Sequence, residues 1–221
     1  MTQKEVLSIV AELTSDDIES QSAAVSKLEN LPIGYFEDHP LPRKKVAPFL
    51  PQLASLLKTT CSDSVKEWCA QLLGESGLRN DENLDALIAG LGSDRAGVLM
   101  SAIWAIGSYG QMAVPAIEKL FDLASHADPQ VRWRAVWALT EIAPSGIETA
   151  KRFADYFNDS ERLVRGYAVI GFVKTAPASR WAIEQLEPFA KDNDDMPRLH
   201  AEEAIKRWQE KEREAVRVQE Q

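Results

Sequence analysis

The stretch Val131 to Leu139, VRWRAVWAL, returns along the chain at a fixed step of 33 residues. One step back lies Val98 to Ile106 (VLMSAIWAI), and two steps back Val65 to Leu73 (VKEWCAQLL). Forward lie Val164 to Phe172 (VRGYAVIGF) and Pro197 to Ile205 (PRLHAEEAI). The five segments stay in register without a gap, and a fixed period of this length is the signature of stacked structural repeats. Within the segment, Val131, Ala135, Ala138, Leu139 and Ile142 follow the spacing i, i+4, i+7, i+8, i+11, which is one apolar face of a helix. A small residue recurs in that face as Cys69, Ala102, Ala135, Ala168 and Ala201, and three positions later as Leu72, Ala105, Ala138, Gly171 and Ala204.

A second set of columns precedes each of these helices in the same register. Leu84, Ile117, Ala150 and Ile183 form one, and Leu87, Leu120, Phe153 and Leu186 the other. Their counterpart before the first clear repeat, Leu50, Leu53, Ala54 and Leu57, is slipped by one residue. Each unit is therefore expected to be a helical hairpin. The turns inside the hairpins carry Asp63, Asp94, Asp128, Asp159 and Asp194, acids suited to accept from the free amides that open the second helix. Asp128-Pro129 is the clearest case, because proline at the first helical position forfeits no hydrogen bond.

Outside the five repeats, residues 1–31 read as a degenerate sixth pair in which Ala24 and Leu28 match Ala135 and Leu139. Pro32 to Pro42 (PIGYFEDHPLP) is an inserted loop too rich in proline to continue a helix. Residues 43–208 hold the five 33-residue repeats, and 209–221 form a charged cap or tail. The fold expected is all-α, an α-solenoid of about six HEAT-like hairpins in a single domain spanning 1–221. Tyr35, Phe36 and His39 in the loop form a secondary candidate contact site, with packing over the first two units as the alternative.

Composition narrows the chemistry. The chain has 221 residues, 45% of them apolar, and 34 acids against 25 bases give a net charge of −9. That excess argues against nucleic acid and anionic membrane as partners. Cys61 and Cys69 fail every two-pair zinc spacing and cannot make a disulfide framework, a usage that fits a reducing, cytoplasmic setting. The N-terminus carries no basic region leading into an apolar core, and no run of 18 apolar residues occurs. Asp192, Asp194 and Glu203 imitate part of a calcium loop, but Met196 and Pro197 stand where an oxygen ligand and a glycine are needed. No Ser-His-Asp arrangement or glycine-rich phosphate loop is present, so no catalytic residue, metal or cofactor is expected.

The aspartate turn followed by V-R-x-x-A-x-x-A-L, best seen as DPQVRWRAVWAL from Asp128 to Leu139, resembles the HEAT repeat. It is similar in particular to the bacterial phycobilisome-lyase HEAT-like type, over about Leu41 to Trp208. The resemblance implies an α-solenoid and says little about function. Among HEAT-like enzymes, the deoxyhypusine hydroxylases need His-Glu pairs, but His39, His126 and His200 are followed by Pro40, Ala127 and Ala201. The alkylpurine DNA glycosylases need a basic cleft, whereas residues 94–191 carry 11 acids and 11 bases. A bilin lyase finds support in the repeat type alone.

The binding reading selects one face of the second helices. At 100° per residue Trp133, Trp137 and Thr140 point away from the core face of their helix. Stepping by 33 gives the columns Gln71, Trp104, Trp137, Ile170, Glu203; Glu67, Met100, Trp133, Gly166, Leu199; and Gly74, Gly107, Thr140, Val173, Lys206. Met100, Trp104, Trp133, Trp137, Ile170 and Val173 form an apolar cluster there, flanked by Arg134 and Glu141, with Glu67, Glu75, Lys174 and Arg207 further out. Such a patch marks a contact site for another protein or a peptide. Two other readings stay open: the rings lie flat across neighbouring repeats, or the patch is a surface for self-association. The charge and size also admit an acidic inhibitor or immunity protein for a basic toxin. The column Lys66, Arg132, Arg165, Arg198 lies beside the core, where arginine is expected to bridge adjacent repeats or turn acids.

Overall fold

A computed structural model describes residues 3–31 and 43–219, so the Pro32 to Pro42 loop with Tyr35, Phe36 and His39 lies outside the described residues. The helices are α1 (Gln3–Leu13), α2 (Ile18–Glu29), α3 (Arg43–Val46), α4 (Leu50–Thr59), α5 (Asp63–Glu75), α6 (Asp81–Gly90) and α7 (Ala96–Gly107). They continue as α8 (Ile117–Leu123), α9 (Pro129–Ile142), α10 (Ile147–Ala154), α11 (Arg162–Thr175), α12 (Arg180–Leu186) and α13 (Asp195–Gln219). Short 3-10 turns at Ala47–Phe49, Gly110–Ala116 and Phe189–Lys191 join or extend the first helices of their pairs. No strand occurs among the described residues. The chain divides into two compact units, Met1–Leu120 and Phe121–Gln221, with the boundary inside α8.

Unit 1 holds the hairpins α1/α2, α4/α5 and α6/α7, in which α5 packs on α7, α4 on α6 and α2 on α5. In the α1/α2 hairpin Ala24 and Leu28 are fully buried, together with Val10 and Leu13 of α1. Unit 2 holds α9 and the hairpins α10/α11 and α12/α13, and its second helices α9, α11 and α13 pack in series. The 33-residue columns are the cores of both units. Cys69, Ala102, Ala135, Ala168 and Ala201 have no exposed surface, and neither have Leu87, Leu120, Phe153 and Leu186. Small side chains in the shared column let neighbouring helices approach closely. At Gly171 the approach is so close that a Cβ there would overlap the buried Phe153 ring of the partner helix α10. Cys69 is a packing residue, and burial pushes its thiol up to about 12, far from nucleophilic.

The expected role of the turn acids needs correction. Asp128 does cap its helix, its carboxylate accepting from the Gln130 amide at 2.8 Å ahead of Pro129. Asp63 and Asp94 do not: Ser62 caps α5, and α7 opens at Arg95 without a side-chain cap. Glu161 caps α11, and Asp159 accepts from the Glu161 amide at 2.8 Å, one step before the helix. Asp159 and Asp194 also serve the arginine column. Arg132 donates through Nε and Nη2 to the two Asp159 oxygens, both at 2.9 Å, while its Nη1 reaches the carbonyls of His126 and Ala127. Arg165 repeats the arrangement one unit later, Nη1 on the Asp159 and Ser160 carbonyls and Nη2 on Asp194. The guanidinium thus clips its own turn to the next one, as the column's position beside the core suggested. Arg198, with no following turn, pairs with Asp195 of its own helix.

Candidate functional site

Of the residues expected at the contact surface, Met100 and Trp104 belong to unit 1 and Trp133, Arg134, Trp137, Glu141, Ile170 and Val173 to unit 2. In unit 1, Trp104 of α7 lies across the preceding repeat, its ring against Gly74 of α5, where a Cβ would come within 2.7 Å of the ring. The ring nevertheless stays 38% exposed, so it is seated on its neighbour without being covered by it. Met100 is half-buried. Beside them the Glu67 carboxylate occupies the space that a side chain at Gly97 would need. Burial raises the Glu67 pKa, the nearby Glu29 adds to the effect, and Arg95 opposes it.

In unit 2 the site starts at the first turn of α9. Gln130 presents its side-chain oxygen to two donors at once, Trp133 Nε1 and Arg134 Nη1, each at 3.0 Å, and its backbone carbonyl accepts from the same Nη1 at 3.0 Å. These bonds fix the indole and the guanidinium together. The Arg134 guanidinium carbon lies 4.2 Å from the Trp133 ring centroid, a cation–π contact. Tyr167 of α11 stacks on the same indole with centroids 5.9 Å apart and planes 14° from parallel. Burial lowers the Arg134 pKa from its ordinary value, with Asp128 pulling the other way. Trp137, Ile170 and Val173 are half-buried, and Leu199 of α13 is 57% exposed.

At the far end of α9, Lys174 of α11 bridges to Glu141 at 3.0 Å and donates to the Thr140 carbonyl at 3.3 Å. Burial works to raise the Glu141 pKa, but the hydrogen bonds from Lys174 and Thr140 outweigh it and hold the carboxyl below its usual value. Thr140, expected to point outward, is buried at 7% exposure, its hydroxyl donating to the Trp137 carbonyl at 2.8 Å. Both its polar groups are engaged, the hydroxyl with Trp137 and Glu141 and the carbonyl with Lys174 of α11. Gly166 is also buried, its missing side chain replaced by Met196.

The two readings of the aromatic cluster therefore share its members. Trp133 and Trp104 do lie across neighbouring repeats, yet neither is closed off from solvent. Tyr167 and Gln130 are the residues that the column search missed. Stepping from Arg134 by 33 gives Tyr167 and His200, so the ring partner was one column away. Gln130 carried no periodic signal at all.

Elsewhere in unit 2 a cleft of about 450 Å³ is lined by Arg162, Leu163, Asn193, Asp194, Asp195 and Met196. Its carboxylates are engaged, Asp194 with Arg165 and Asp195 with Arg198. His126 accepts from the Asp128 amide at 3.0 Å, a turn-forming bond. Among the described residues no three His, Cys, Asp or Glu side chains gather as a metal site, and no helix is long and apolar enough to cross a membrane.

Comparison with known proteins agrees with this geometry. An engineered protein of known structure is similar with a TM-score of 0.68 at 22% identity, covering 94% of this chain and 99% of that one. A designed armadillo repeat protein in complex with the peptide (KR)4 is similar with a TM-score of 0.68 at 19% identity, covering 92% and 99%. Computationally designed armadillo repeat proteins for modular peptide recognition give 0.68 at 19%, covering 91% and 98%. No curated protein matches the chain. Residues 117–206 match the family described as HEAT repeats, and the fold that carries them is an α-solenoid of paired helices.

Proposed function

We propose that the chain is a non-catalytic module that binds another protein or a peptide through one face of its second helices. The contact residues are Met100 and Trp104 in unit 1 and Trp133, Arg134, Trp137, Glu141, Ile170 and Val173 in unit 2. The observation that carries this reading is the partly exposed apolar surface of α9 and α11, on which the Trp133 indole is held in fixed orientation by a hydrogen bond and stacking. Rigid aromatic groups of this kind lose little conformational entropy on binding, which makes them good anchors. A solved solenoid of similar fold holds a peptide, and this supports a peptide-sized partner. The repeat subtype, read from DPQVRWRAVWAL, is that of phycobilisome-lyase HEAT-like repeats, and the setting is cytoplasmic.

The test is capture of partners from native cells with the wild-type chain and with Trp137→Ala, run beside thermal melting. The expected result is loss of partner binding by about 2 kcal/mol or more with nearly unchanged stability. A folding cost of about 3 to 5 kcal/mol with the same captured partners would show instead that the ring is a packing element.

A further inference from the structure

Arg134 differs from Arg132 and Arg165, the two arginines that clip the turns of its unit. A guanidinium has five N–H donors. Both hydrogens of Arg134 Nη1 are directed at Gln130, one oxygen from the backbone and one from the side chain, which leaves the Nε and Nη2 edge with no acceptor among the described residues. Arg132 and Arg165 use their guanidinium edges on Asp159 and Asp194. The acids at the two ends of α9 make their hydrogen bonds elsewhere. Asp128 caps the Gln130 amide, and Glu141 is held by Lys174 and Thr140. The group is partly desolvated against Trp133, and Asp128, which makes no hydrogen bond to it, offsets only part of that penalty. Gln130 holds it in one orientation, with the open edge already formed. Such an edge on an aromatic plane is the geometry that takes a carboxylate through two parallel hydrogen bonds.

We propose that Arg134 sets the specificity of the unit 2 surface, which takes an acidic peptide segment. One carboxylate forks onto the Nε and Nη2 edge of Arg134, and an adjacent apolar side chain rests on Trp137, Ile170 and Val173. This deepens the binding reading above and rests on it. The charge logic runs against the chain as a whole. A net charge of −9 draws basic peptides at long range, but on this surface they meet a cation already pressed against an indole.

The experiment is selection of a displayed random peptide library on the full chain. Anisotropy titration of the enriched peptide then follows, against the wild type, Arg134→Gln, Arg134→Lys and Trp137→Ala. The expected motif has Asp or Glu beside a large apolar residue. Arg134→Gln should weaken its binding about tenfold or more, as loss of a charge-assisted pair does, at an unchanged melting temperature. Arg134→Lys should restore only part, because an ammonium cannot make the fork. Enrichment of basic or acid-free peptides, or no enrichment, overturns the proposal. A peptide lost with Trp137→Ala but indifferent to Arg134→Gln overturns the role of Arg134 and leaves the binding surface standing. A peptide indifferent to both overturns the two together.

Discussion

In the column where unit 2 has Arg132 and Arg165, unit 1 has Lys66 and Leu99. The two regions repeat the same apolar columns at the same period, yet they tie successive turns together differently. In unit 2 each guanidinium grips two carbonyls of its own turn and the carboxylate of the next, and the Arg132–Asp159 pair is shielded, with side chains 14% and 13% exposed. Unit 1 offers Arg95 to Asp63 at 3.4 Å, with side chains 70% and 45% exposed, a pair that water and salt largely screen. Apolar burial is common to both units; the polar clip is confined to one. The difference shows that a repeat period specifies which residues meet while leaving open what fastens the turns.

The largest expected effect breaks the clip. Arg132→Ala should cost about 2 to 3 kcal/mol, because it leaves the Asp159 carboxylate with only the Glu161 amide and takes the donor from two turn carbonyls. Arg95→Ala should stay within about 0.5 kcal/mol. Urea unfolding of the two variants measures both, and equal losses would erase the distinction between the units.

Glycine substitutions sharpen the comparison next. Gly171→Ala forces a Cβ into the Phe153 ring and should destabilise by about 1 to 2 kcal/mol, overpacking exceeding the helix propensity gained. In unit 1 the same change at Gly90 meets Ala102 and Leu57 at an ordinary 3.5 Å, and should stabilise by about 0.5 to 1 kcal/mol. Melting temperatures moving in opposite directions would confirm the expected packing. Removing the aspartate cap of α9, Asp128→Ala, should cost about 1 kcal/mol, read by amide exchange in that helix.

The smallest effect is in pH dependence, where the units have opposite signs. Burial tends to raise the Asp159 pKa, but Arg132 and the Glu161 amide outweigh it, so the folded pKa lies below the ordinary 3.8. Its stabilisation is present above that value and is lost as pH falls through the folded pKa. Glu67 is raised above 4.5, so its fold protonates more readily than its unfolded chain, and its contribution weakens as pH rises through that window. Region-resolved amide exchange between pH 3 and 7 should show α9 and α11 loosening at the acid end. Glu67→Gln should remove the opposite trend in α5, and an unchanged trend there would assign it to another group.

The fold was legible because its determinants are periodic. Ala102, Ala135 and Ala168, spaced by 33, are fully buried, and burial selects small apolar residues at each. The site was legible only in part. Trp104, Trp133 and Trp137 stood out as large apolar residues off the core face, and all three keep exposed surface. Thr140 was misplaced because a helical wheel places a side chain around its own axis and knows nothing of α11, whose Lys174 donates to the Thr140 carbonyl. The capping role assigned to Asp159 fell to Glu161, whose amide Asp159 accepts from, and the same carboxylate also takes the Arg132 fork from the preceding turn.

By itself, then, the sequence determined the helical pairs, their period and the apolar columns, since these follow from local periodicity and the burial of one face per helix. Tertiary structure alone decided which polar groups met. It seated Trp104 on Gly74, stacked Tyr167 on Trp133, gave Asp159 to Arg132 and left one edge of Arg134 open. Hydrogen bonds and ring contacts depend on distances of a few ångströms and on direction, which the packing of separate helices sets and no single helix encodes.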